Sequence, residues 1–180
     1  EGRPVPAATH FFGLDAASSP SGHEAIVLAP GNHISGKRAV MPVVRTMVGL
    51  AAGLALPLGA KAVCWHQAES WMEPAYFARV ALNWLSGGAF PALGLTALKA
   101  LPDGGVASVG LGYFCGQEIE LDALPGESQA MLAKLAVRII DHLVRTGPIR
   151  FAAELRGPSD ETLIAEPSGN GERVRIRRTA

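Results

Sequence analysis

The chain has 180 residues, 48% of them hydrophobic, and its 16 Lys and Arg residues balance its 16 Asp and Glu residues. That size suits one domain with a substantial core, and the balanced charge argues against nucleic acid or an anionic membrane as the main partner. Two cysteines, Cys64 and Cys115, are too few for a disulfide framework, so we predict reduced thiols in a cytoplasmic protein.

The first half of the chain predicts a strand–helix–strand unit. Residues 1–22 are rich in Pro, Ala, Ser and Gly, and we expect an extended N-terminal segment there. The apolar run 24–29 predicts a buried strand, residues 40–56 a helix, and residues 61–65 a second buried strand. Because a βαβ unit places its two strands parallel in one sheet, we expect these two strands to be neighbours.

The most hydrophobic run, Met47–Ala60, predicts a core helix. It has 14 residues, whereas a helix that crosses a membrane needs about 20. Gly49 and Gly53 have the spacing found where helices pack closely. In this chain we expect them to let the helix lie close to a sheet.

The second half predicts a hairpin and a long amphipathic helix. A helix at 73–85 precedes two strands, 92–100 and 106–114, which are joined by Leu-Pro-Asp-Gly-Gly, a sequence typical of hairpin turns. A helix at 127–145 follows, with His142 on its apolar face, where we expect a core histidine.

Residues 23–156 are therefore predicted to form a single α+β domain. Its mixed sheet would be built from a βαβ unit plus a β-hairpin, with helices mainly on one face. Residues 157–180 are polar and end in Glu-Arg-Val-Arg-Ile-Arg-Arg-Thr-Ala. We expect a basic tail or, because Val174 and Ile176 alternate with arginines, an edge strand.

The loop after the first predicted strand nearly matches a phosphate-binding loop. Gly31, Gly36 and Lys37 fit the spacing in which backbone N–H groups wrap a phosphate and Lys reaches its oxygens. Arg38, however, stands where a Ser or Thr must hold Mg²⁺. Pro42 also favours a later helix start than such a loop requires. Phosphate or nucleotide binding by this loop is kept as an alternative.

Polar side chains follow both strands of the predicted βαβ unit. Because the carboxyl ends of neighbouring parallel strands meet at one edge of a sheet, we predict a ligand-binding rim there. Its residues are Asn32, His33, Ser35, Lys37, His66, Gln67 and Glu69. His33, His66 and Glu69 would also suit a metal ion, but we predict no metal site because such spacing is common by chance. The plain alternative is a set of polar residues in surface loops.

A glycine-rich segment, Gly110–Glu118, is the second candidate cluster. Glycines inside a predicted strand weaken it unless something approaches the backbone closely. Cys115 would be a nucleophile if a base such as His66 lay beside it, and Glu118 is a further catalytic candidate. The alternative is an inert core cysteine, with Gln117 and Glu118 as buried polar residues that fasten a bulge.

Four segments carry a likeness to a known family. They are Ala25–Ala29, Gly59–Trp65, Glu73–Phe77 and, most specifically, Gly110–Glu120, all within residues 24–148. Together they resemble a bacterial family, the domain of unknown function 4261. Ser108 stands where that family is expected to have Thr, and Cys115 is an insertion within its Phe-Gly pair. The resemblance implies an α/β-type domain with no assigned activity, in which Glu118 is the family-typical acidic residue.

No complete catalytic motif is present in the sequence, and we predict a non-enzymatic binding or interaction module without a cofactor. Its partner would be a protein or a small molecule, and a homodimer is left open. One alternative is a small hydrolase or transferase that acts at the predicted rim. The other is phosphate or nucleotide binding at the Gly31–Lys37 loop.

Overall fold

The computed structural model describes residues 7–15, 23–32, 34, 39–157 and 160–178. The chain falls into two compact units, an N-terminal unit (1–95) and a C-terminal unit (96–180). In the described residues, five α-helices accompany a three-stranded and a six-stranded sheet, each of which mixes parallel and antiparallel pairs. The predicted α+β class is confirmed. The division into an extended segment, one domain and a tail stays a prediction.

The N-terminal unit combines a small sheet with three helices. Its elements are β1 His10–Phe12, α1 Met41–Ala55, β2 Val63–Trp65, β3 Ser70–Met72, α2 Pro74–Leu85 and α3 Ala92–Leu95. The central strand β3 is parallel to β1 and antiparallel to β2. All three residues of β3 are buried, so this strand lies in the core of the unit.

The predicted strand at 24–29 is wrong. Only Ala25 forms an isolated bridge, and the chain from 26 to 30 is irregular. Ile26 and Val27 are 75% and 50% exposed, so this apolar run is not part of the core. The propensity of a residue for strands describes how well it suits a half-buried pleated surface, but it supplies no neighbouring strand. Strand β2 pairs with β3 instead, and the expected βαβ pair is not formed by these segments.

Local sequence explains where α1 and α2 begin. Pro42 lies in the first turn of α1, which starts at Met41 as expected from the sequence. The Glu73 carboxylate accepts hydrogen bonds from the backbone N–H groups of Ala75 and Tyr76, and so caps the N-terminus of α2. The buried side of α1 packs against α2 and consists of Val44, Val48, Ala52 and Ala55.

One arginine joins these two helices. The Arg45 guanidinium donates a hydrogen bond of 2.8 Å to the Leu85 carbonyl at the C-terminal end of α2. Its central carbon also lies 4.9 Å from the ring centroid of Trp84. A cation at a helix C-terminus and over an aromatic face is favourable on both counts. The charge of Arg45 is therefore directed towards α2.

The C-terminal unit is built on the six-stranded sheet. Its elements are β4 Ala97–Ala100, β5 Val106–Val109, α4 Leu111–Cys115, β6 Glu118–Leu121, α5 Gln129–Thr146, β7 Ala153–Arg156, β8 Thr162–Pro167 and β9 Arg173–Arg178. The strand order is β4-β5-β6-β9-β8-β7, and β6 and β9 are parallel. The predicted hairpin is confirmed as β4 with β5, although its first strand begins at Ala97 and not at residue 92, where α3 lies instead.

The second hairpin strand is shorter than predicted. It was expected to reach residue 114, but it ends at Val109 and a one-turn helix follows. Gly110 and Gly116 flank that helix with φ angles of 85° and 86°, which L side chains rarely adopt. Two such glycines turn the chain out of the strand and then into β6.

Residues 173–178 form an interior strand of the sheet and not the expected edge strand. Strand β9 pairs with β6 on one side and with β8 on the other, so it lies inside the sheet. Val174 and Ile176 are buried, as their alternation predicted. Arg173, Arg175 and Arg177 are exposed and form ion pairs with Glu120, Asp122 and Glu166 respectively. The basic run is thus locally neutralised by carboxylates on neighbouring segments.

Helix α5 covers one face of this sheet and packs against β5 and β6. Ser128 caps its N-terminus by accepting a hydrogen bond of 3.3 Å from the backbone N–H of Met131. The prediction that His142 is a core residue is wrong, because its side chain is exposed. His142 lies at the border of the apolar face, next to the buried Leu143. The buried residues are Leu132, Leu135, Ala136, Ile139, Ile140 and Leu143.

Candidate functional site

The predicted rim rests on a pair of parallel strands that does not form. His33, Ser35 and Lys37 lie outside the described residues, as does most of the predicted phosphate-binding loop. Asn32, His66 and Gln67 are exposed. The grouping of these side chains into a ligand site stays a prediction. The pair of parallel strands on which that prediction was based does not form.

Glu69, the last rim residue, holds strand β1 against the rest of its sheet. Its carboxylate accepts a hydrogen bond of 3.0 Å from the Thr9 hydroxyl. Its backbone carbonyl accepts from the N–H groups of Thr9 and His10, at 2.9 and 3.1 Å. Burial lowers the pKa of His10, and the nearby Glu69 carboxylate opposes that shift. These contacts give Glu69 a structural role at the start of β1.

The metal alternative has no support within the described ranges. There, no group of three or more His, Cys, Asp and Glu side chains is placed to hold one ion. Of the proposed ligands, His66 begins a short 3₁₀ turn at His66–Ala68. The Glu69 carboxylate accepts the hydrogen bond from the Thr9 hydroxyl. His33 is outside the described residues, so that ligand set stays untested as a whole.

The Glu118 carboxylate is enclosed by the glycine-rich segment before it. It accepts hydrogen bonds from the Ser108 hydroxyl and from the backbone N–H groups of Leu111 and Gly112, the last two at 3.2 and 2.8 Å. The Ser108 oxygen in turn accepts from the Ile119 N–H at 2.9 Å. A Cβ at Gly112 would lie 3.1 Å from the Glu118 carboxylate oxygen, which explains glycine there. Glu118 therefore acts as a cap for α4.

Cys115 lies at the end of the same one-turn helix and is buried. Its thiol is 3.4 Å from the Gln117 carbonyl and 3.7 Å from the Leu111 carbonyl, both of which accept its proton in a weak hydrogen bond. Carbonyl oxygens are poor bases, so these neighbours do not generate a thiolate. The environment matches the alternative of an inert core cysteine. A pairing of Cys115 with His66 stays a prediction.

Gln117 is a buried polar residue, as the sequence suggested, and its partner is distant in sequence. The amide nitrogen donates to the Ile149 carbonyl and the amide oxygen accepts from the Ile149 N–H, both at 2.8 Å. One side chain thus satisfies two backbone groups in the segment after α5. This bidentate contact ties the exit of α5 to the start of β6.

The surface that sequence reasoning missed is the outer side of α1. We call it the apolar stripe and define it by Leu50, Gly53, Leu54, Pro57 and Leu58. The three leucines are 53%, 41% and 57% exposed, and the other two residues are also exposed. The backbone N–H of Leu58 donates to the Leu54 carbonyl at 3.0 Å, so the helical register continues past Ala55. The leucines therefore stack one turn apart along one side.

The two glycines of α1 lie on different sides of the helix. A Cβ at Gly49 would be 3.4 Å from Leu85 Cδ1, so this glycine faces α2 rather than a sheet. At Gly53, by contrast, no neighbouring element of the described chain lies within 4 Å of the Cβ position. The signal was present in the sequence: Arg45 is the only charged residue from 41 to 58, which leaves this helix without a polar face.

Comparisons with known proteins add no family or activity. No protein-family model matches the chain, and neither the curated proteins nor the solved structures include a significant match. The resemblance to the domain of unknown function 4261 therefore stays a prediction. Among the helices of the described residues, none is long and apolar enough to cross a bilayer.

Proposed function

We propose that this chain is a non-enzymatic interaction module that binds a protein partner through the apolar stripe of α1. The observation that carries the proposal is a helix that has one charged residue, Arg45, and is yet exposed along an apolar side. Helices of that composition are normally buried on every face, and contiguous apolar surface on a folded protein marks interaction sites.

The charge distribution supports the same function. The one cation of α1, Arg45, is bound to the end of α2, so no charge is directed from the stripe. The core of a protein–protein contact is likewise poor in charged residues, because their desolvation is costly. Leucines at one-turn spacing on a preformed helix also provide rigid apolar anchors at low entropic cost.

The residues first considered for catalysis support the proposal indirectly. Glu118 is held by hydrogen bonds from Ser108 and from backbone N–H groups. Glu69 fastens β1, and the Cys115 thiol faces carbonyl oxygens. Each of these polar groups has a local structural role, whereas the leucines of the stripe leave about half of their surface uncovered.

Position-specific crosslinking tests this function. A photoreactive amino acid at Leu54 should crosslink to protein in an extract of the native cell, because its side chain lies in the contact. The same group at Lys134, which is exposed on α5, should give no adduct above background and serves as the matched control. Equal crosslinking at both positions, or none at either, would contradict an interaction role for the stripe.

A further inference from the structure

The apolar stripe is suited to one partner in particular, and this inference rests on the function proposed above. We infer that the occupant of the stripe is a second copy of this chain, with two α1 helices packed across a twofold axis near Gly53. In a twofold contact each residue meets the same surface on its partner, so the surface must be complementary to itself.

The absence of charge on the stripe meets that condition. From residue 41 to 58 the only ionisable side chain is Arg45, which is turned towards α2. Two stripes can therefore approach each other without placing like charges together. A charged partner would find no complementary charge on the exposed residues of this segment, which are Pro42, Thr46, Leu50, Gly53, Leu54, Leu56, Pro57 and Leu58.

Gly53 provides the second condition, which is close approach. It lies between Leu50 and Leu54, and the space beside it is open within the described chain. A glycine in the middle of an exposed helix is unfavourable by about 0.5–1 kcal/mol relative to alanine unless a neighbour uses the missing side chain. Where two helices cross at such a residue, their backbones come nearer and the flanking leucines interdigitate.

The area available is consistent with a weak dimer. Leu50, Leu54 and Leu58 are about half exposed. If both copies contribute these leucines with Gly53 and Pro57, the contact is smaller than the roughly 1,200 Å² at which standard interfaces begin, a size typical of weak, transient contacts. We therefore expect association at micromolar rather than nanomolar concentration.

Sedimentation equilibrium of the purified chain tests this inference. Between about 1 and 300 µM, the wild type should pass from monomer to dimer, the range that suits an interface of this size. Leu54→Asp should weaken association at least about tenfold, because it buries an unpaired charge in each copy. Met131→Asp, at a residue 58% exposed on α5, is the matched control and should associate as the wild type does.

Each alternative outcome has a distinct meaning. A wild type that stays monomeric throughout would overturn the second copy as partner, and crosslinks from Leu54 in extract would then leave the proposed function standing with a different partner. Equal association of the wild type and Leu54→Asp would place the dimer on another surface and also overturn the inference. Sedimentation of the monomer with phosphatidylcholine vesicles, abolished by Leu54→Asp, would assign the stripe to lipid instead. Circular dichroism confirms that each variant is folded.

Discussion

The Ser108 hydroxyl donates a hydrogen bond to the Glu118 carboxylate between the neighbouring strands β5 and β6. The same carboxylate accepts from two backbone N–H groups of α4, so one side chain joins a sheet to a helix terminus. This arrangement gives the Glu118 carboxylate a stabilising role that does not depend on catalysis.

Replacing that carboxylate should lower stability. We expect Glu118→Ala to reduce the free energy of unfolding by about 1–3 kcal/mol, because Ser108 and two N–H groups lose their acceptor. Urea denaturation followed by circular dichroism measures the change. Glu154→Ala, on the exposed side of β7, is the control and should change it by less than about 0.5 kcal/mol. An unfolding free energy equal to that of the wild type would contradict the capping role of Glu118.

The buried amide of Gln117 provides a second test of internal polar contacts. Gln117→Leu keeps a similar volume but leaves the N–H and carbonyl of Ile149 without their partner. We expect the free energy of unfolding to fall by about 1–3 kcal/mol, because two partly buried backbone groups lose their hydrogen-bond partner. Gln117→Glu distinguishes shape from hydrogen bonding, since it retains the acceptor for the Ile149 N–H and loses the donor to the carbonyl. If leucine were tolerated while glutamate was not, packing would be the dominant contribution.

A partly buried ion pair should make stability depend on pH. Glu127 accepts hydrogen bonds from the Arg178 guanidinium, and both side chains are close to 10% exposed, at 12% and 9%. The hydrogen bonds from Arg178 are the largest cause of a lowered pKa at Glu127, from an ordinary value of 4.5. The stabilisation is therefore present above that value and is lost as pH falls through the lower pKa of the folded state.

The variant Glu127→Gln should remove that acid sensitivity. We expect it to lose about 2–4 kcal/mol at pH 7, because Arg178 is left partly buried without a counter-ion. Its unfolding free energy should also change less than that of the wild type between pH 6 and pH 3, as measured by urea titration at each pH. Glu166→Gln, which breaks an exposed pair with Arg177, should cost less than about 1 kcal/mol. Parallel pH profiles for wild type and Glu127→Gln would refute this assignment.

Replacing Gly53 of α1 by alanine should have opposite effects on stability and on association. At low protein concentration, Gly53→Ala should raise the unfolding free energy by about 0.5–1 kcal/mol, because alanine favours the helix and the site is open. At high concentration it should weaken dimerisation, because a methyl group keeps the two backbones apart. Gly49→Ala faces α2 and is the matched control for association. If Gly53→Ala associated as the wild type does, the two helix backbones would not approach closely at Gly53.

Sequence reasoning succeeded where local chemistry decides the structure. The Glu73-Pro74 pair and the Pro-Asp-Gly-Gly turn impose a helix start and a hairpin through their own hydrogen bonds and dihedral angles. It failed at 24–29, where the composition suits a strand but no neighbouring strand is supplied. At β9, alternation correctly predicted which side chains are buried, but not that both edges of the strand would be paired.

The candidate surface was missed for a related reason. An apolar run of the length of α1 predicts a buried helix, and nothing local says which of its sides the rest of the chain will cover. Coverage depends on packing with α2, which takes the side of Val44, Val48 and Ala52 and leaves the leucines outside. The spacing of the two glycines predicts close packing at both, but in the structure Gly49 contacts α2 and Gly53 has no neighbour within 4 Å in the described chain.

The most direct test of self-association through the stripe is a mixing experiment with opposite charges at one position. Leu54→Asp and Leu54→Lys should each be monomeric alone, because like charges would meet across the twofold axis. An equimolar mixture should form a heterodimer by sedimentation equilibrium, since the two charges then attract within a contact of otherwise unchanged shape. A mixture that remains monomeric, while the wild type dimerises under the same conditions, would contradict a twofold contact at this helix.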